Sequence, residues 1–502
     1  MAVEGRRSPA GPQVAQPSPF IALAKQTLIY GVSGVLLQAV GVVTLPIFTR
    51  AFTQAEYGKL ELGVVLASIT LTVVDLGFAS AAQRSFYDYA ETDGEQRRSV
   101  LFTALVATCT AAVGAAVVLG ALRTQIASWV FGGSNVEWLI VAIAISIPIV
   151  NAATFLREVM RLRLRQWSYV AAAVMAAILS AAISVALVVG FDAGVEAVFV
   201  GAIFGNALGV VYGAWVGRHD IGMHFSGHEL RVMLAYGLPL VPAAMAMWAL
   251  VLVDRIILNR LSDLAEVGQY AVANRLSSVL MLVVTAFSQA FGPYILSLYA
   301  ENRELEKEVR AHALTYFVVV LLVAAVGLTL YAREILELAA PSFDRAYKAV
   351  GPLNLGMVAF GISAVSVAGI TFTRRMGWVP LVAGVAAGVN IALNFALIPR
   401  FGMVGAAIAT ALGFAVLAAL QHRLAQRLYP TPYETGKLAR ALLLAVLAGA
   451  VGLIPIEPLL LALGIKTGVL IAFLASLRLT GVVEAKDIGN ARRLVAARLG
   501  RA

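Results

Sequence analysis

The sequence predicts an all-α polytopic membrane protein of about fourteen transmembrane helices, built as two parallel six-helix lobes plus two C-terminal helices. Three observations predict it. Of 502 residues, 60% are hydrophobic and only 13% are charged, far below the roughly 25% charged residues of soluble domains. Apolar runs of about twenty residues, each long enough to cross ~30 Å of hydrocarbon as a helix, recur between short polar breaks. Finally, a polar phrase occurs twice: RAFTQAEYG (50–58) and RLSDLAEVG (260–268) share Arg, Ala, Glu and Gly at a constant offset of 210 residues. Barrel strands would alternate polar and apolar residues over ~10 positions, and these runs do not.

In chain order, residues 1–24 are rich in Pro and small residues and read as a disordered cytoplasmic tail rather than a signal peptide. Six spans follow near 25–48, 58–83, 99–122, 137–156, 167–190 and 194–217. A cytoplasmic linker over 218–230 leads to six more near 231–258, 268–295, 311–331, 349–372, 378–399 and 403–421. Residues 231–422 make up this second lobe, as 25–217 make up the first. A terminal pair lies near 438–453 and 458–477, interrupted by Lys466, with Pro455 and Pro458 crowding its turn. In the cytoplasmic tail over 478–502, the stretch EAKDIGNARRLVAARLG fits either an interfacial helix on anionic lipid or a frayed tail.

Basic residues are retained on the cytoplasmic face. The N-terminus, even-numbered loops and C-terminus carry 27 of the 38 Lys and Arg, and the odd-numbered loops carry 9, with Arg275 and Lys466 inside spans. Both termini are therefore expected in the cytoplasm; the cytoplasmic (inner) membrane is what the family resemblance given below implies. The net charge of +10 is spread over these loops rather than gathered on one domain, so it reads as topogenic and not as a nucleic-acid surface. Six spans separate the two copies of the polar phrase. Equivalent helices then cross in the same direction, which makes the halves parallel repeats about an axis along the membrane normal.

No catalytic constellation, metal site or cofactor motif emerges. His224 and His228 have a metal-binding spacing, but Gly222 and Gly227 argue for a solvated loop. No glycine-rich phosphate loop is followed by Lys and Ser or Thr, which excludes a built-in ATPase motif. Cys109 is the single cysteine, so no intrachain disulfide forms.

A charge at membrane depth costs ~2.5–3.5 kcal/mol and is a functional candidate by default. Arg275, with Asn274 beside it, lies one to two turns inside the eighth span. Asp254 and Arg255 end the seventh, and Asp75 lies about two turns from the cytoplasmic end of the second. Arg50 and Arg260 open the repeated phrase. The arginines are candidates to face a lumen between the helices, and Asp75 and Asp254 are candidates for a coupling ion or counter-ion. Prolines within or near helix ends (Pro46, Pro148, Pro239, Pro242, Pro293, Pro352 and Pro380) permit bends.

The stretches LPIFTRAFTQAEYGKLEL, VVDLGFASAAQRSFYDY and VDRIILNRLSDLAEVGQYAVANRLSSVL resemble the polysaccharide transporter family, the Wzx-type oligosaccharide flippases of the superfamily that contains MATE exporters and lipid II flippases. The resemblance covers nearly the whole chain, from Lys25 to about Leu477. It implies two six-helix lobes around a central cavity and translocation of an undecaprenyl-pyrophosphate-linked oligosaccharide by alternating access, for surface polysaccharide biosynthesis. Carried over by position, Arg50, Arg255, Arg260 and Arg275 are the candidates for a cationic cavity. The partners implied are the lipid-linked oligosaccharide, membrane lipids, and a glycan polymerase and glycosyltransferases. A cation-coupled multidrug exporter, a membrane glycan polymerase and an inert scaffold are the alternatives.

Overall fold

The computed structural model describes residues 19–90, 92–133 and 135–483, with side chains in the first helix described at residue 34 and from residue 36 onward. The first eighteen residues, the side chain of Lys25 and the EAKDIGNARRLVAARLG stretch lie outside the described residues. Every described element is helical. At membrane depth a helix satisfies all its backbone polar groups within one segment.

The elements are, in order, α1 (Pro19–Ala51), α2 (Gln54–Asp75), α3 (Phe78–Asp88), α4 (Gly94–Ala121), α5 (Arg123–Phe131), α6 (Glu137–Leu162), α7 (Gln166–Gly190) and α8 (Glu196–Gly217). Next come α9 (Gly227–Gly237), a 3-10 turn (Leu238–Leu240), α10 (Val241–Leu261), α11 (Leu264–Glu301), α12 (Arg303–Leu330) and α13 (Ala332–Ala339). The chain then continues through α14 (Tyr347–Ser366), α15 (Ala368–Phe372), α16 (Trp378–Leu428), α17 (Thr435–Ala450) and α18 (Leu459–Leu479).

Twelve helical segments of the described residues are long and apolar enough to cross a membrane. One of them, α16, is two spans. It breaks at Gly402, whose φ of 54° and ψ of −133° are not helical, and a Cβ on Gly413 beyond the break would lie 2.9 Å from Asn390 before it. The two arms therefore fold back on each other. With α1, whose apolar part runs over Leu36–Ala51, the spans among the described residues number fourteen. The face where α1 ends at Ala51 is called the distal face below.

Sequence chemistry sets the helix starts that matter here. Thr53 and Glu56 form a reciprocal capping box at the head of α2, and the Asp263 carboxylate accepts the Glu266 amide at the head of α11. The acidic residue of each repeated phrase thus sits where the helix dipole favours it.

Helix packing forms two groups that meet along α1, α2, α10 and α11. In the first, α6 lies against α4 and α8, α7 against α8, and α1 against α7; in the second, α16 lies against α10 and α14, and α14 against α11 and α12. The terminal pair docks on α12. Between the halves, α2 packs on α11 and α10, and α1 on α11. The seventh span is broken by the turn that carries Pro239, so that α9 packs on α3 and α4 while α10 packs on α16. The short helices α3, α5 and α13 at the span ends were not legible as separate elements in the hydropathy pattern.

Candidate functional site at the seam between the lobes

The two copies of the polar phrase meet at the distal end of the seam. Arg50 Nη2 donates to the carbonyl of Leu338 (3.1 Å) and Thr49 Oγ1 to that of Ala339 (2.9 Å), both in the last turn of α13. Arg260 Nη2 donates to the carbonyl of Trp129, and Asn259 Nδ2 to that of Val130 (2.8 Å), both in the last turn of α5. Each lobe therefore caps the exposed carbonyl end of a short helix in the other. Between these contacts, Gly58 and Gly268 bring α2 and α11 together backbone to backbone. The glutamates differ in use: Glu56 stays within its own capping box, whereas Glu266 accepts the Met403 amide (2.8 Å) and pairs with Arg345 (3.0 Å).

Below this lies a buried ionic cluster. Asp254 is fully buried and Arg255 is 2% exposed. Arg255 Nη1 donates to Asp254 Oδ1 (2.7 Å) and Nε to Glu61 Oε1 of α2 (3.2 Å), which joins the lobes by an ion pair. The other Asp254 oxygen accepts the Tyr270 hydroxyl and the Thr410 hydroxyl (2.9 Å), and Asn390 and Asn394 lie behind Thr410. Arg255 is thus not the accessible cation that the sequence suggests: burial at this depth requires pairing, and two carboxylates and the Val251 carbonyl supply it.

Arg275 is different. It lies on α11 two turns from Gly268, and its side chain is exposed. The guanidinium rests on α1 at Gly41, where a Cβ would lie 3.4 Å from Cζ, and it lies near Tyr57 of α2. No carboxylate pairs with it among the described residues. Next to it, Ser278 accepts from Gln38 of α1 (2.7 Å), and Asn274 is half-buried. Asp75 does not serve as its counter-ion. It ends α2, eighteen residues or about 27 Å along the helix from Tyr57, and accepts the Ala79 amide at the head of α3 (3.2 Å).

The structure therefore gathers Arg255, Asp254, Arg275 and Asn274 along one seam, sets Arg50 and Arg260 at its distal rim, and places Asp75 toward the opposite face. Sequence reading missed Glu61, Tyr57, Tyr270 and Thr410. Glu61 falls one turn after Tyr57 in GKLELGVV, a charge already inside the apolar run, and that signal was available. Tyr270 and Thr410 carry no charge, and their role appears only when α10, α11 and α16 come together. Outside the seam, Lys466 is neutralised by Glu334 of α13 (2.5 Å), and a second buried pair, Arg310 with Glu306 (2.7 Å), ties α12 to Thr431 and Tyr433 ahead of α17.

Two packed groups of helices with a charged seam and an appended helix pair define an all-α polytopic membrane protein. The sequence profile of the family described as "Polysaccharide biosynthesis protein" matches residues 23–299, more than half of the chain, and the protein belongs to that family. A search of curated proteins finds no match. Among solved structures, one of "Lipid II flippase MurJ, inward closed conformation" superposes with a TM-score of 0.72 at 13% identity, covering 89% of this chain and 98% of the other. An outward-facing MATE family multidrug resistance transporter of the MOP superfamily gives 0.60 at 14% identity, covering 82% and 96%. The Vibrio cholerae MATE transporter VcmN gives 0.54 at 14% identity, covering 82% and 98%. At these identities the likeness is one of fold.

Proposed function

We propose that the protein is a flippase for an undecaprenyl-pyrophosphate-linked oligosaccharide in surface polysaccharide biosynthesis, acting by alternating access in the cytoplasmic membrane. The lobes are residues 25–217 and 231–422, the termini are cytoplasmic, and the distal face is periplasmic. The observation that carries this reading is Arg275, an exposed arginine at membrane depth between the lobes, with no carboxylate partner among the described residues. Its planar fork binds phosphate oxygens in pairs and stays charged at any physiological pH. The head group needs this shelter, whereas a polyprenyl tail remains in hydrocarbon. Asn274 and the Gln38–Ser278 pair offer neutral partners for sugar hydroxyls. Glycosyltransferases and a glycan polymerase are the expected upstream and downstream partners.

A cation-coupled drug exporter needs a carboxylate open to an ion. Both oxygens of Asp254 are engaged and Asp75 caps a helix, which favours the flippase. The test is translocation of defined lipid-linked sugars by the purified protein in vesicles. Arg275→Ala should abolish it at unchanged protein incorporation; wild-type translocation by that variant removes Arg275 from the path.

A further inference from the structure

We infer that the repeated phrase is a two-armed latch that holds the distal face of the protein shut, so that Arg50 and Arg260 serve conformation rather than cargo. Three features carry this. The arms are reciprocal: Thr49 and Arg50 reach the carbonyls of Ala339 and Leu338, and Asn259 and Arg260, at the same offset of 210 residues, reach those of Val130 and Trp129. Both acceptors are last-turn carbonyls of short distal helices, the groups that a helix end leaves without intrahelical partners and toward which a cation is drawn by the dipole. The backbone contact of Gly58 with Gly268 sits between the arms.

A guanidinium bound only to main-chain carbonyls is held firmly enough to close the face, yet water can replace every bond when the lobes part. A carboxylate partner would hold it more tightly. The arms also couple the lobes symmetrically, since neither short helix can part from the other lobe without releasing an arm. The latch belongs to the two-lobe architecture whatever the cargo.

The test uses full-length protein in native membranes, with Cys109→Ser as background and a reporter cysteine at Ala271. This residue is 4% exposed and lies on α11 between Gly268 and Arg275. Labelling by a membrane-impermeant maleimide is followed from each side, with Asn135→Cys, an exposed distal residue, fixing which side the distal face occupies. Arg50→Ala or Arg260→Ala should raise distal-side labelling of the reporter about tenfold, the value of one charge-assisted hydrogen bond, and the double variant should raise it further. A second reporter at Leu322, fully buried in the second lobe, should stay unlabelled in each. Unchanged labelling at residue 271, or an equal rise at residue 322 from general loosening, overturns the latch.

Discussion

A Cβ on Gly58 would lie 2.0 Å from the carbonyl oxygen of Leu264, and one on Gly268 would lie 2.0 Å from that of Gln54. The two glycines of the repeated phrase thus face each other across the lobe boundary, each beneath the first turn of the other's helix. Two effects of an alanine there have opposite signs. Helix propensity stabilises by roughly 0.5–1 kcal/mol, while overpacking against backbone that cannot turn aside costs about 1–3 kcal/mol. Contact should win. Gly58→Ala and Gly268→Ala are each expected to lower the thermal unfolding midpoint of the purified protein, and a raised midpoint would show that the helices part freely.

Gly41 offers a way to move Arg275 without removing its charge. A methyl group there would just touch the guanidinium, so Gly41→Leu should push the side chain off α1. Translocation is expected to fall at least about tenfold with abundance unchanged, since misplacing a binding group by ~1 Å is costly. Gly41→Ala, at van der Waals distance, should be tolerated. Equal activity of both variants would mean that the position of Arg275 against α1 is irrelevant to transport.

Much of the helical architecture was legible in the sequence because hydrophobic length is a local property. The short break between the apolar runs near 378–399 and 403–421 marked the two arms that α16 joins, and the 210-residue offset marked the two segments that meet at the seam. The site was less legible, since its meaning lies in which helices meet. Arg50 and Arg260 stood out as repeated, but nothing local says that a helix end from the other lobe receives each. Arg255 stood out as an intramembrane charge, and only the approach of α2 supplies Glu61. Lys466, which made the last span doubtful, is a buried cation answered by Glu334 more than a hundred residues earlier.

That last pair gives a stability prediction. Lys466 is 1% exposed and Glu334 has a 15% exposed side chain, so removing the cation leaves a largely buried carboxylate alone, at a cost of about 3–5 kcal/mol. Lys466→Met should reduce membrane abundance, and Lys466→Met with Glu334→Gln should restore much of it. If the double variant is as poorly produced as the single, the defect lies in the fit of the side chain and not in its charge.

The ion pair of Arg255 with Glu61 should respond unequally when broken from its two ends. In Glu61→Gln the arginine keeps Asp254 and the Val251 carbonyl, so the fold loses one of several bonds, about 1 kcal/mol, and abundance should hold. In Arg255→Met the Asp254 carboxylate, fully buried, keeps only the hydroxyls of Tyr270 and Thr410 and the Arg255 main-chain amide. The cost is then about 3–5 kcal/mol, and the protein should accumulate poorly. Asp254→Asn in the same chain removes the stranded charge and should recover production. Because Glu61 is the member of the cluster from the first lobe, Glu61→Gln should also weaken closure of the seam, read as faster labelling of the cysteine at residue 271. Equal loss of protein in Glu61→Gln and Arg255→Met would place the two charges in one indivisible structural core and remove Glu61 from the moving parts.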